Sequence, residues 1–247
     1  MSAPKILVLD IETAPLEVYA WSIWNQDIGL PMIKKDWFIL SWSAKWLGEK
    51  AIMYADQRRA KLIADDKKLL KGIWKLLNEA DIIITQNGIK FDIKKLNARF
   101  LLNGLKPPNS FRHIDTYKIA KKHFALTSSR LEYMTDKICK RNKKTKSKKF
   151  PGFELWKQCL KGNVAAFKEM EKYNRMDVLS LEELYHALIP WDSSIDFSSY
   201  YNKLTCSCGS QHFQSRGYRY SNGGKKRRMQ CNDCGKELLV TIKKGEK

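Results

Sequence analysis

The sequence lacks any long apolar run. Hydrophobic residues make up 43% of its 247 residues. The longest uninterrupted apolar stretches, such as residues 6–9 and 82–84, are far shorter than the roughly 20 residues that a membrane span needs. The first residues also lack the basic start, the apolar stretch and the small-residue cleavage site of a signal peptide. We therefore expect a cytoplasmic protein.

Acidic residues are scarce relative to basic ones. The chain has 26 Asp and Glu against 46 Lys and Arg, which gives a formal net charge of +20. A charge of this size attracts polyanions. An anionic membrane surface would attract it too, but the lack of apolar runs favours nucleic acid as the partner. Seven of the ten residues at 140–149 are Lys or Arg, which predicts either a solvated loop or a loop that contacts phosphates.

Cysteine is scarce over most of the chain and is concentrated near its end. Cys139 and Cys159 stand alone and are interpreted as reduced, partly buried thiols. The remaining four cysteines lie close together in the sequence, at Cys206, Cys208, Cys231 and Cys234. This grouping predicts metal ligation rather than a disulfide framework.

The order of apolar patterns predicts a mixed sheet packed with helices, an α/β architecture. Strands are predicted at residues 5–10, 17–24, 37–44, 51–54, 81–85 and 112–114, and helices at 65–80, 92–102, 115–124, 130–138, 164–173 and 175–188. Pro190 ends the last helix. We therefore predict one domain over residues 1–192, a linker at 193–202 and a small module at 203–247.

Two acids lie at the end of the first predicted strand. Asp10 and Glu12 are separated by Ile11, and because side chains alternate along a strand, both acids lie on one face. Their mutual repulsion is relieved by a divalent cation, and hard oxygen ligands suit Mg²⁺ or Mn²⁺. An Asp-x-Glu pair alone is common, and a plain surface pair is the alternative.

Two further motifs carry carboxylates. Asn87 and Gly88 form a predicted turn after a strand, and Asp92 lies at the start of the next helix. A simple turn with a helix cap explains these residue types equally well. Tyr173 and Asp177 are four residues apart on a predicted helix and therefore share a face. The alternative for this pair is an unrelated Tyr and Asp on a helix surface.

Together the three motifs resemble the exonuclease motifs of the DEDD superfamily. The Tyr four residues before the last Asp resembles the DEDDy branch, which includes the proofreading domains of family A and B DNA polymerases. Lys172 occupies the position where the other branch has His. The resemblance covers about residues 5–190. The end of this domain, from Glu154-Leu-Trp156 through Ala187 to Trp191, is similar to small stand-alone exonucleases encoded by bacteriophages. The resemblance implies a ribonuclease H-like fold.

The resemblance also implies roles for individual residues. Four carboxylates would hold two Mg²⁺ or Mn²⁺ ions: Asp10, Glu12, Asp92 and Asp177. Tyr173 would orient the attacking water. Thr13, Asn87 and Phe91 would contact the terminal nucleotides, although core packing is an equal alternative for Phe91. Asp115 is a weaker candidate, because it can simply cap the following helix.

The four clustered cysteines resemble the ligands of a zinc ribbon, which holds one structural Zn²⁺. Each pair is followed by a glycine, Gly209 or Gly235, which permits a tight turn. Four thiolates bind Zn²⁺ tetrahedrally and supply folding free energy to a segment too short to build a core. The first pair is Cys-x-Cys rather than Cys-x-x-Cys, so His212 is an alternative ligand to Cys206.

A basic run lies between the two cysteine pairs, with Tyr218 and Tyr220 nearby. Its members are Lys225, Lys226, Arg227 and Arg228. Basic residues interleaved with aromatic ones suit contacts with a phosphate backbone and with bases, so we predict that this module binds substrate. The alternative is a structural or protein-docking module.

The expected activity is 3′→5′ hydrolysis of DNA at single-stranded or frayed ends by a two-metal-ion mechanism. The carboxylates themselves favour phosphodiester hydrolysis, whereas the direction comes from the resemblance. An RNA-directed or structure-specific nuclease on the same fold is an alternative, and a non-catalytic nucleic-acid-binding adaptor is another. The expected partners are DNA more than RNA, and proteins of replication or repair.

Overall fold

The computed structural model describes residues 3–143, 149–195, 197, 200–201, 203–221 and 224–242. In chain order the strands are β1 Ile6–Thr13, β2 Glu17–Val18, β3 Ile33–Lys35, β4 Ile39–Trp46, β5 Met53–Asp56, β6 Ile82–Thr85, β7 Arg112–Asp115, β8 Phe213–Ser221, β9 Gly224–Cys231 and β10 Glu237–Thr241. The α-helices are α1 Lys67–Glu79, α2 Asp92–Leu102, α3 Thr116–His123, α4 Leu131–Ile138, α5 Glu154–Leu160 and α6 Val164–Leu188.

A five-stranded mixed sheet forms the centre of the main domain, in the order β5-β4-β1-β6-β7. Strand β1 is antiparallel to β4 and parallel to β6, which is itself parallel to β7. Because β1 has a neighbour on each side and helices cover both faces, Leu7, Val8 and Leu9 are fully buried. The predicted α/β mixed sheet is confirmed, and it gives the acids of β1 a rigid base.

The two faces of β1 pack into different cores. Leu7, Leu9 and Ile11 belong to the core formed with α1 and α2. Ile6 and Val8 belong to the core formed with α3, α4 and α6. Asp10 and Glu12 continue the alternation of this second face. The acids therefore point toward the layer that contains α6, which carries Asp177.

One continuous helix replaces two predicted ones. The helices predicted at 164–173 and 175–188 are the single 25-residue helix α6. The Asn163 side chain caps its start by accepting the N–H groups of Ala165 and Ala166. Asn174, the residue between the two predicted segments, lies in mid-helix with its side chain directed at the sheet. A buried polar side chain that finds partners across the layer does not interrupt the helix.

The strand predicted at residues 17–24 was too long. Only Glu17–Val18 is extended, and it pairs with β3 in a small hairpin outside the main sheet. Trp21, Ile23 and Trp24 are exposed. The aromatic and β-branched residues predicted a strand from propensity, but the chain has left the sheet by this point, so they have no sheet face to cover.

The cysteine module, residues 203–221 and 224–242, is a three-stranded antiparallel sheet in the order β10-β9-β8. Within the predicted linker, Ile195 and Phe197 are buried against the core of the main domain. Residues 144–148 of the predicted basic loop lie outside the described residues. Across the described chain, none of the helices is long and apolar enough to cross a bilayer.

Two hydrogen-bonding groups fasten the cysteine module to the main domain. The Tyr185 hydroxyl on α6 donates to the Ser207 carbonyl at 3.0 Å. The Lys236 ammonium is almost fully buried and donates to the carbonyls of Asp192 and Ile195 and to the Ser207 hydroxyl. A buried ammonium is stable only when its donors are satisfied, so these bonds fix the docking of the module.

Candidate active site and cysteine cluster

Three carboxylates converge at the edge of the main sheet. Asp10 and Glu12 come from β1 and Asp177 from α6, and one oxygen of each lies within 4.8 Å of the others. Asp177 is almost fully buried, while Asp10 and Glu12 are half-buried. Carboxylates brought this close repel each other unless a cation lies between them. A cluster of hard oxygen donors fits Mg²⁺ or Mn²⁺.

Asp92, the fourth predicted carboxylate, lies beside this group. It begins α2, is 3% exposed, and accepts a hydrogen bond from the Ile11 amide at 3.2 Å. Ile11 separates Asp10 from Glu12, so this bond holds α2 against the acidic strand. Burial raises the pKa of Asp92 to about 7, because a charge in a desolvated position is unfavourable. A cation bound alongside would favour the ionised form.

Asn174 is a site residue that sequence reasoning missed. Its side-chain amide donates to Asp10 Oδ2 at 2.5 Å, and its oxygen accepts the Ser41 hydroxyl at 3.2 Å. Asn174 is fully buried. It therefore fixes the orientation of the Asp10 carboxylate. The signal in the sequence was its position three residues before Asp177, which places both side chains on one face of α6.

Tyr173 lies on α6 next to Asn174 and is half-buried. Its ring contacts Trp156 of α5 edge to face, with the ring centroids 6.0 Å apart. This arrangement is a favourable aromatic geometry and restricts the ring. The sequence placed Trp156 in the region similar to phage-encoded exonucleases but gave it no role.

The turn before α2 is held by Asp115. Its carboxylate accepts the amides of Asn87 at 2.8 Å and Ile89 at 3.2 Å, and it also caps the start of α3, as the alternative interpretation expected. Asn87 has a positive φ of 62°. A side chain at Gly88 would overlap Thr85. The turn therefore requires glycine there and presents Asn87 in a fixed conformation.

Phe91 and Thr13 follow the two central parallel strands, since Thr13 ends β1 and Phe91 lies in the turn after β6. Phe91 is 38% exposed at the N-cap of α2, so core packing does not describe its surroundings. Thr13 is half-buried and follows a register shift at the end of β1. Both residues are accessible to a ligand that enters from the ends of β1 and β6.

The mixed sheet flanked by helices is a ribonuclease H-like fold, which confirms the expected fold. A sequence profile of the RNase_H superfamily matches residues 39–189, more than half of the chain. The chain belongs to this superfamily. The matched residues begin at β4, so Asp10 and Glu12 lie outside them.

A solved structure supports the fold independently. A family B DNA polymerase from the hyperthermophilic archaeon Pyrobaculum calidifontis is similar over 78% of this chain, with a TM-score of 0.51 and 14% identity. The similar region is 26% of the polymerase chain, so the protein spans about a quarter of that enzyme's length. At this identity the likeness concerns the fold alone. No curated protein sequence matches the chain significantly.

The second cluster consists of thiols. The sulfur atoms of all four C-terminal cysteines lie within 4.8 Å of one another. His212, the alternative ligand, has a side chain that is 79% exposed, with Nδ1 3.7 Å from an Asp233 oxygen. Cys206, by contrast, is fully buried within the cluster. Four sulfur donors at this spacing fit Zn²⁺.

Each cysteine pair closes a tight turn. The Gly209 amide donates to the Cys206 carbonyl at 2.8 Å, and the Gly235 amide donates to the Cys231 carbonyl at 2.9 Å. Both glycines have positive φ, 92° and 78°, a backbone conformation that residues other than glycine rarely adopt. The shorter Cys-x-Cys spacing still brings both of its sulfurs into the cluster.

Half of the basic run shares a face with aromatic rings. Tyr218 pairs directly with Arg227, and Tyr220 pairs with Lys225 across β8 and β9, so these four side chains point the same way. The Lys225 ammonium lies 3.8 Å from the centroid of the Tyr218 ring. Tyr220 is 72% exposed. This face combines cationic and stacking groups.

The other half of the run points to the opposite face. Lys226 and Arg228 alternate with Lys225 and Arg227 along β9. Arg228 forms an ion pair with Glu237 of β10 at 2.7 Å. The four basic residues were predicted as one group, but the strand divides them into two pairs with different surroundings.

The two isolated cysteines are fully buried rather than partly buried. Cys139 and Cys159 are free thiols with 4% and 0% exposure. Burial raises the pKa of Cys139 to about 11 and that of Cys159 to about 12. The thiolate is the reactive form of cysteine, and these raised pKa values disfavour it. We therefore interpret both residues as core side chains.

Proposed function

We propose that the protein is a metal-dependent 3′→5′ exonuclease that hydrolyses DNA at single-stranded or frayed ends. The observation that carries the proposal is the convergence of Asp10, Glu12 and Asp177 within 4.8 Å at the edge of a ribonuclease H-like sheet. Asp92 is tied to the same strand through the Ile11 amide. Phosphodiester hydrolysis is the chemistry that such a carboxylate group supports.

The four carboxylates would hold two Mg²⁺ or Mn²⁺ ions: Asp10, Glu12, Asp92 and Asp177. Bound ions supply a water that is nucleophilic near neutral pH and neutralise charge on the phosphate oxygens. The protein's own contribution is positioning. Asn174 fixes the Asp10 carboxylate, and the hydrogen bond from β1 fixes Asp92.

Tyr173 orients the nucleophilic water in this proposal. A phenol has a pKa of about 10 and is therefore neutral near pH 7, which suits a hydrogen-bonding role better than that of a general base. The Trp156 ring holds Tyr173 from one side. Thr13, Asn87 and Phe91 contact the terminal nucleotides, and the exposed Phe91 ring offers a surface on which a base stacks.

The direction and the sugar rest on similarity. Tyr173 four residues before Asp177 resembles the DEDDy pattern of polymerase proofreading domains, and the fold is similar to that of a family B DNA polymerase. These likenesses favour DNA and 3′→5′ polarity, and they suggest proteins of replication or repair as partners. The basic and aromatic face of β8 and β9 supports an additional grip on the nucleic-acid backbone.

End-labelled substrates test this proposal. The purified protein is incubated with single-stranded DNA, duplex DNA and RNA, in Mg²⁺, Mn²⁺ or EDTA. With a 5′ label, 3′→5′ digestion gives a ladder of progressively shorter labelled products, whereas 5′→3′ digestion releases the labelled nucleotide first. Preferential digestion of RNA, or a single internal cut, would indicate the alternative nucleases. Binding to DNA without cleavage in either metal would indicate an adaptor.

A further inference from the structure

An exposed aromatic segment lies at the tip of the β2–β3 hairpin. In this segment, residues 19–24, Trp21 is 94% exposed and Trp24 is 77% exposed. Tyr19 and Ile23 are 64% and 85% exposed. Contiguous apolar groups exposed in this way mark an interaction site. We call this segment the aromatic tip.

Internal hydrogen bonds shape the aromatic tip before any ligand binds. The side-chain oxygen of Gln26 accepts the amides of Trp21 at 3.1 Å and Ser22 at 2.9 Å. The Ser22 hydroxyl donates to the Trp24 carbonyl at 2.8 Å. Asn25 turns the chain with a positive φ of 47°. These hydrogen bonds hold the loop in a defined turn. The indole rings are exposed on this turn.

The hairpin rises from the edge of the sheet that carries the carboxylates. Strands β1 and β6 are parallel, so their ends lie at the same edge. The hairpin leaves that edge after Thr13 and returns to it at Ile39, the residue paired with Thr13 in β4. The turn that carries Asn87 and Phe91 follows β6 at the same edge. The hairpin that carries the aromatic tip is therefore attached to the same edge as the proposed active site.

Aromatic rings alternate with ammonium groups between the site and the hairpin. The Lys95 ammonium lies 3.6 Å from the ring centroid of Trp37 and 5.8 Å from that of Phe91. On the hairpin, the Lys34 ammonium lies 5.9 Å from the ring centroid of Tyr19. Surfaces that bind single strands combine stacking rings with cations in this manner.

We propose that the aromatic tip binds bases of a single nucleic-acid strand at nucleotides upstream of the one being removed. The inference rests on the proposed function, because it places the reacting end at Asp10. Attachment of the hairpin to the edge that carries that site and the net charge of +20 favour nucleic acid over a protein partner. From Glu17 to Trp21 the hairpin extends at most roughly 13 Å, at about 3.3 Å per residue. Trp21 and Trp24 thus meet bases that a very short strand does not reach.

Strand length provides the test. Binding is measured in EDTA on an Asp177→Ala background, which prevents cleavage, with a fluorescent oligothymidylate of about 20 nucleotides and, by competition, with a trinucleotide. Combining Trp21→Ala with Trp24→Ala should weaken binding of the long strand by about tenfold or more, because stacked bases are lost. Affinity for the trinucleotide should stay within about twofold. Phe at both positions should restore most of the affinity, since it retains a ring.

Trp191→Ala is the matched control, because Trp191 is also exposed, at 64%, but follows the far end of α6. It should leave both affinities unchanged. Thermal unfolding of the tip variants should coincide with that of the parent, since the tip rings are exposed. Long-strand affinity within about twofold of the parent, or an equal loss for both lengths, would overturn the inference. Cleavage by the wild-type protein is assayed separately. If the wild type cleaves DNA but the tip variant binds the long strand as well as the parent does, only this inference fails and the proposed function stands.

Discussion

The proposed metal ligands of the carboxylate site and of the cysteine cluster belong to very different structural elements. Asp10 and Asp177 belong to β1 and α6, which are buried in the large cores of the main domain. The four thiols belong to two short turns of a three-stranded module. Among the described residues of this module, Leu238 is the only buried apolar residue besides Cys206 and Cys231. We infer that a metal serves chemistry in the first region and folding in the second.

Loss of one thiol should have the largest effect on structure. Cys231→Ser leaves three sulfurs around the proposed zinc, whose binding contributes about 10–16 kcal/mol in comparable structural sites. The variant should lose its equivalent of zinc in elemental analysis and the protection of β8–β10 in hydrogen exchange. His212→Ala should retain the zinc, because this side chain points to solvent. If the wild-type protein contains no zinc and β8–β10 are nevertheless protected, zinc does not drive folding of the module, and the distinction between the two regions fails.

Asn174→Ala should impair the carboxylate site without unfolding it. The change releases the Asp10 carboxylate from its amide partner, and loss of such an outer partner typically costs 10–100-fold in activity or metal affinity. The half-maximal Mg²⁺ concentration in the nuclease assay should rise. Asn163→Ala, which removes the cap of the same helix, should cost about 1 kcal/mol of stability and leave the Mg²⁺ requirement unchanged. Equal Mg²⁺ curves for Asn174→Ala and wild type would exclude a positioning role.

Lys236→Met tests whether the two regions are mechanically linked. The methionine keeps the bulk of the side chain but leaves the Asp192 and Ile195 carbonyls without their donor. We expect a loss of about 2–4 kcal/mol in urea unfolding, with zinc content maintained. Lys50→Met, at an exposed position, is the control. Unchanged stability in Lys236→Met would mean that the hydrogen bonds of Lys236 do not stabilise the docking of the cysteine module.

His113 gives the smallest expected effect. Burial lowers its pKa from 6.5 to about 4, and its ring nitrogen lies 2.7 Å from the Thr85 hydroxyl. Between these two values the unfolded chain binds a proton that the folded chain does not, so stability decreases as the pH falls from about 6.5 to about 4. His113→Gln should flatten that decrease in urea unfolding at a series of pH values. His186, whose pKa is also lowered, should preserve part of the slope.

The main domain was largely predictable from sequence, because alternation and helical spacing reflect burial directly. β1 could be predicted with both of its acids on one face, and Asp92 and Asp177 followed from the motif resemblance. Asn174 was missed because a mid-helix Asn has no local signature, and its partners Ser41 and Asp10 are more than a hundred residues away.

The docking of the cysteine module was not predictable for the same reason. A lysine in a basic tail is normally a surface residue, and only the tertiary arrangement brings three acceptors to Lys236. The segment at 17–24 was mispredicted because strand propensity measures fit to a sheet surface, and no sheet lies beneath it. Both regions depend on contacts between distant parts of the chain.

Cleavage of 5′-labelled single-stranded DNA in Mg²⁺ by carboxylate variants tests the central claim most directly. Asp10→Ala and Asp177→Ala should each lower the rate by roughly 10³-fold or more, while both variants still unfold cooperatively. Asp136→Ala, a change at an exposed acid, should cleave like wild type. Undiminished cleavage by both Asp10→Ala and Asp177→Ala would contradict the assignment of the active site.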